Sequence, residues 1–177
     1  SDKSASSHAL LKIILRRTYD AAPQYETRAL VPSDPVPEGA AGALFIGDDA
    51  LALYHHPPEG LYIYDLAREW KRLTATRMVF GIWAAARSFA AEHPAELSMV
   101  HGRIAAAFRD WAAVKDAAIG AVLADGSFTR AQLTEYLGRA VVWQLDETTL
   151  AGLRLFYRYA AEDGLIARAP TIELARV

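Results

Sequence analysis

Leu10, Leu11, Ile13, Ile14 and Leu15 form a broad apolar stripe with Lys12, Arg16 and Arg17 interspersed, the pattern of an amphipathic helix running to about Tyr19. Four serines fall within the first seven residues, so Ser4, Ser6 and Ser7 stand where the N-cap of this helix belongs. Two readings are open. The serines can accept from the orphan N–H groups of the first turn, or they can join those groups and the positive end of the helix dipole in holding a carboxylate or phosphate.

Downstream, "YETRAL" (Tyr25 to Leu30) alternates like a strand, and "VPSDPVPEG" is a proline-punctuated loop. "GALFIGDD" predicts a short buried strand that ends on Gly47, Asp48 and Asp49. "GLYIYD" predicts another strand after the loop "YHHPPEG". "DLAREWKRL" is a short helix with Asp65 as its cap, and "RMVFGIWAAA" is an apolar run of strand type. Alternating strand and helix predict an α/β layer.

From Pro94 the pattern becomes helical. The stretch to Gly126 has Pro94 near its first turn, while Gly102 and Gly120 argue against one unbroken helix. "TRAQLTEYLGRA" predicts a helix capped by Thr129. "DETTLAGLRLFYRYAAEDG" predicts another, capped by Asp146 or Thr148 and stopped at Gly164.

Composition narrows the classes. The chain has 177 residues, 53% of them hydrophobic, enough to bury a real core. A formal charge of −2, with Lys and Arg scattered, leaves no basic footprint for nucleic acid. Cysteine is absent, which excludes disulfides, thiolate metal sites and a cysteine nucleophile. No apolar run approaches bilayer length, so no membrane partner is expected and the cytoplasm is the default location. The five histidines, His8, His55, His56, His93 and His101, lack a metal-ligand spacing with carboxylates. No GxSxG elbow is present, and "GAAGALFIGDD" has neither the Walker lysine nor the dinucleotide fingerprint.

"IGDDAL" carries more information. A strand delivering Asp48 after Gly47 would put a carboxylate at the ligand-facing edge of an open α/β sheet. The alternative is a first-turn acid on a short helix.

In order and wording, "SDKSASSHALLKIIL", "GALFIGDDAL", "YIYDLAREW", "MVFGIWAAA" and "GLRLFYRYAAEDGLI" resemble successive blocks of the MqnA/MqnD family of menaquinone biosynthesis, over nearly the whole chain. The resemblance implies an α/β fold like that of the two-lobed (type II) periplasmic binding proteins. Residues 1–78 would be the second lobe. Residues 79–177 would comprise a hinge crossover, Val79 to Trp83, and C-terminal helices that pack on the first lobe, whose opening portion would be absent from this chain.

"IGDDAL" with "DLAREW" resembles the MqnA branch, the chorismate dehydratases. The MqnD branch, dihydroxynaphthoate synthase, would show a His-Glu pair at Gly47 and Asp48. The implied chemistry is dehydration of chorismate to 3-[(1-carboxyvinyl)oxy]benzoate on the futalosine route, with no cofactor and no metal. Ser4, Ser6, Ser7 and Gly47 would bind the substrate, and Asp48, the acid nearest the cleft, would be the catalytic residue, as base, orienter or hydrogen-bond anchor, unless the base lies in the first lobe or is a substrate carboxylate. A solute-binding protein would share the cleft without turnover. The long apolar helical stretch fits burial in the fold or in a homodimer equally well.

Overall fold

The computed structural model describes residues 4–124 and 126–177, the side chains of residues 139 and 140 excepted. Ser1, the first of the opening serines, lies outside the described residues. Helices run in the order α1 (Ala5–Tyr19), α2 (Gly47–His55), α3 (Leu66–Thr74), α4 (Arg87–Glu92), α5 (Pro94–Arg109), α6 (Trp111–Leu123), α7 (Arg130–Glu135) and α8 (Glu147–Glu162). A π-helical turn, Tyr136–Ala140, continues α7. No helix among the described residues is long and apolar enough to cross a membrane.

The α/β expectation needs correction. Among the described residues the β structure amounts to one isolated bridge, between Val31 and Asp34. The segments 25–30, 42–46, 61–65 and 78–83, which carry strand-like patterns, have no regular secondary structure, are largely solvent-facing and join no ladder. Alternating polarity prepares two faces of a strand; only hydrogen bonds from a neighbouring segment make it one. Among the described residues no β-bridge joins these segments to a neighbour. The two-lobed periplasmic-binding architecture therefore draws no support from these helices.

The chain separates into two compact units, residues 1–80 with 145–171, and residues 81–144 with 172–177. In the first unit α1, α3 and α8 enclose a core of Leu10, Ile13, Ile14, Trp70, Phe156 and Ala160. Helix α8 carries a buried stripe, Leu150, Leu153, Phe156 and Ala160 recurring at three- and four-residue steps, of which Phe156 and Ala160 enter this core. Trp70 is fully buried and meets Phe156 and Tyr159 edge-on, at centroid distances of 6.2 and 5.9 Å. Its indole Nε1–H donates to Thr76 Oγ1 at 3.1 Å, so its one polar atom is not stranded in the core.

The caps follow the sequence closely. Asp65 accepts from the backbone N–H of Arg68 at 2.8 Å, and Asp146 accepts from that of Thr149 at 2.8 Å. Thr129 and Gln132 form a reciprocal capping box. Gly164, at φ +72°, ends the last helix as predicted.

In the second unit the helical stretch from Pro94 breaks at Asp110, between α5 and α6, rather than at either glycine. Gly102 and Gly120 are accommodated inside helices. An additional short helix, α4, precedes Pro94 and is separated from α5 by His93. Trp143 stacks on Phe108, with centroids 5.2 Å apart, and meets Trp111 edge-on at 5.6 Å. Ile119 and Leu133 are the buried aliphatic side chains of this unit among the described residues.

Candidate functional site

The serine turn forms the N-terminus of α1, and the helix makes unequal use of the three hydroxyls. Ser4 is the N-cap: its Oγ accepts from the backbone N–H of Ser7 at 3.2 Å and donates to Ser7 Oγ at 2.9 Å. Its carbonyl accepts from the N–H of His8. The single hydroxyl proton of Ser4 is thereby committed. Ser7 is buried, at 7% exposure, but its own hydroxyl proton is not needed for either bond to Ser4. The Ser6 hydroxyl is half-buried and takes part in no hydrogen bond among the described residues.

Two backbone N–H groups, of Ala5 and Ser6, open the helix ahead of the capped Ser7. The turn thus caps its helix through Ser4 and leaves the half-buried Ser6 hydroxyl and two amides at its open end, with Ser7 buried. No acidic residue lies in the first turn of α1 to oppose an anion.

Asp48 lies elsewhere in the local structure from where a strand would carry it. The backbone before it is extended without a ladder, and Gly47 opens α2 in the left-handed region at φ +65°. A side chain at Gly47 would meet no neighbour, so glycine serves the backbone conformation here rather than a tight space. Asp48 and Asp49 then occupy the first turn of α2, whose N-cap, Ile46, offers no side-chain acceptor. Two carboxylates beside the positive end of the dipole compensate for the missing cap.

Asp48 is exposed and forms no hydrogen bond or ion pair among the described residues. No bond links it to the serine turn, so the two halves of the predicted site are each formed locally and are not joined by direct contact. His55 closes the last turn of the same helix, edge-on to Tyr54 at 5.4 Å. Among the described residues no group of three or more His, Asp or Glu side chains is gathered to hold a metal ion.

A second polar feature is invisible to motif reading. Arg154 and Arg158 lie one turn apart on α8, above a depression of about 450 Å3 bounded by Thr76, Ala151 and Leu155. The i, i+4 spacing is legible in the sequence. The approach of Thr76, which follows the C-terminal end of α3, is not.

In the first unit the helices pack around Trp70, and the N-terminus of α1 is a hydroxyl-rich turn capped by Ser4. A family model described as menaquinone biosynthesis matches residues 1–162. The chain belongs to that family. No solved structure matches it.

Proposed function

We propose that the protein acts as a chorismate dehydratase, the hydro-lyase that converts chorismate to 3-[(1-carboxyvinyl)oxy]benzoate and water on the futalosine route to menaquinone. The observation that carries the proposal is the menaquinone-biosynthesis match across residues 1–162. The choice of branch rests on Gly47 and Asp48, where the dihydroxynaphthoate synthases would carry a His-Glu pair. In this reading the chain forms part of a two-lobed periplasmic-binding-like molecule and works without a cofactor.

The chemistry asks for little beyond orientation. Elimination breaks one ring C–H bond and the neighbouring C–O bond, the electron pair of the first becomes ring π density, and water leaves; aromatisation supplies the driving force. One substrate carboxylate is assigned to Ser6, Ser7 and the open amides of α1, with Ser4 holding the turn in shape. Asp48 is assigned to the proton or to anchoring a ring hydroxyl, and Gly47 to bringing its backbone close to the ligand.

The test is to mix the full-length protein with chorismate and follow the ultraviolet spectrum. Growth of benzoate absorption is the expected result. Binding without an aromatic product would replace the lyase with a solute-binding protein. Ser6→Ala and Ser7→Ala are each expected to weaken chorismate binding by about tenfold, the worth of one hydrogen bond to a charged group. Unchanged affinity would remove Ser6 and Ser7 from the substrate site and leave the turn as the Ser4 cap alone.

A further inference from the structure

We propose that the depression between Thr76 and α8 is a binding site for a small diacid, held by Arg154 and Arg158 with its apolar body over Ala151 and Leu155. At about 450 Å3 the depression falls within the size of small-molecule sites. The two arginines project from adjacent turns of one helix, about 6 Å apart at Cβ, with their guanidinium groups leaning apart toward Glu147 and Glu162, so a two-headed ligand has to draw the flexible heads together.

Both guanidinium groups have donors to spare. The nearest carboxylate to Arg154 is Glu147, at 3.7 Å, and to Arg158 is Glu162, at 3.8 Å, each beyond hydrogen-bonding reach. Arg17 shows the contrast: its fork is closed on Asp163 at 2.7 and 3.0 Å. Arg154 and Arg158 are 54% and 64% exposed, and such loose surface pairs are worth little, so an incoming carboxylate displaces them at small cost. Planar forks take carboxylates in bidentate fashion.

The floor is apolar and fixed, because Leu155 packs against the Trp70 core. Thr76 is fixed as well. Its Oγ accepts from the Trp70 indole, and since the Thr74 hydroxyl proton goes to the Trp70 carbonyl, the 2.9 Å contact between the two threonines uses the proton of Thr76. Thr76 therefore has no proton to give an anion and is a wall of the site, leaving charge recognition to the arginines.

This inference is independent of chorismate turnover, and its test reads α8 directly. Benzene-1,3-dicarboxylate, with benzoate as the one-headed control, is titrated into the 177-residue chain by calorimetry, while arginine Nε–H resonances are followed by NMR. The diacid is expected to bind at least about tenfold more tightly than benzoate, to shift the Arg154 and Arg158 signals, and to weaken as salt is raised. Arg154→Gln and Arg158→Gln should each lower its affinity by about tenfold while leaving the circular dichroism spectrum intact, both positions being solvent-facing. Equal affinity for diacid and benzoate, unchanged affinity in both variants, or no binding overturns the proposal. Shifts confined to Ser4–Ser7 would overturn it too, placing the ligand on α1. An acidic peptide that binds where the diacid does not would overturn it in favour of a protein partner.

Discussion

Gly152 is a glycine that the packing requires. A Cβ built there would lie 2.1 Å from the backbone carbonyl oxygen of Arg77 and 3.2 Å from Thr76 Oγ1, and a backbone atom cannot swing aside as a side chain can. Gly152→Ala is therefore expected to destabilise the protein by about 1–3 kcal/mol or more, although glycine to alanine within a helix ordinarily gains about 1 kcal/mol. Gly120 lies inside α6, and a Cβ there would have nothing within 4 Å of it. Gly120→Ala should follow the ordinary rule and stabilise by about 0.5–1 kcal/mol. Urea denaturation of the two variants side by side checks the opposite signs.

Asp146 links a cap to pH. The backbone N–H and hydroxyl of Thr149, at 2.8 and 3.0 Å, hold its carboxyl below the usual carboxylate range. A carboxylate with a lowered folded-state pKa contributes stability that is complete above its unfolded value and lost as the pH falls through the folded one. Acidification from neutrality should narrow the difference in melting temperature between the wild type and Asp146→Asn, beginning below about pH 4. A difference that stays constant down to about pH 2 would show that the ionised form is not what the cap uses.

Helices α1 and α8 are joined at their C-terminal ends by one arginine. Arg17 donates to both oxygens of Asp163, donates to Glu162 at 2.9 Å, and lies 3.8 Å over the ring of Tyr159. Asp163, with its side chain 8% exposed, would keep only the looser Arg16, 4.0 Å away, without it. Lysine keeps the charge but cannot form the fork or the flat stack. Arg17→Lys is expected to cost about 1–2 kcal/mol in denaturant unfolding, and a fully stable Lys variant would reduce the pair to a point-charge attraction.

The same helices show what local reading can and cannot reach. Asp65, Thr129, Asp146 and Gly164 are legible because a cap or stop involves residues three or four apart. The partnership of Arg17 with Asp163 spans 146 positions, and nothing in the periodicity of either helix announces it. The break at Asp110 is equally hidden: glycine is the expected weak point, yet Gly102 and Gly120 stay helical while Asp110 takes a non-helical ψ of 3°. The serine turn is legible as a cap with anion potential. That Ser4 rather than Ser6 is the cap depends on which Oγ the Ser7 amide reaches.

Among the described residues of the molecule, buried apolar side chains are unevenly shared between the two units. Leu10, Ile13, Ile14, Leu53, Trp70, Leu150, Leu153, Phe156 and Ala160 belong to the first unit, against Ile119 and Leu133 in the second. Local opening costs least where few apolar contacts are lost. Amide hydrogen exchange should accordingly leave α1, α3 and α8 protected longest and α5 and α6 exchanging earlier. Equal protection in both units would mean that α5 and α6 bury more apolar surface in solution than Ile119 alone accounts for.

By itself the sequence determined α1, α3, α7 and α8, their side-chain caps, the family and the chemical character of the serine turn, because each depends on residues close in the chain or on their order along it. It did not determine the sheet that its alternating segments describe, since a strand exists only when another segment lies beside it to accept its hydrogen bonds. The tertiary structure decided that those segments stay unpaired, that Asp48 opens a helix rather than ending a strand, and that Arg154, Arg158 and Thr76 face one depression. Each of these is a matter of which distant backbone comes near, and hydrophobic periodicity carries no such address.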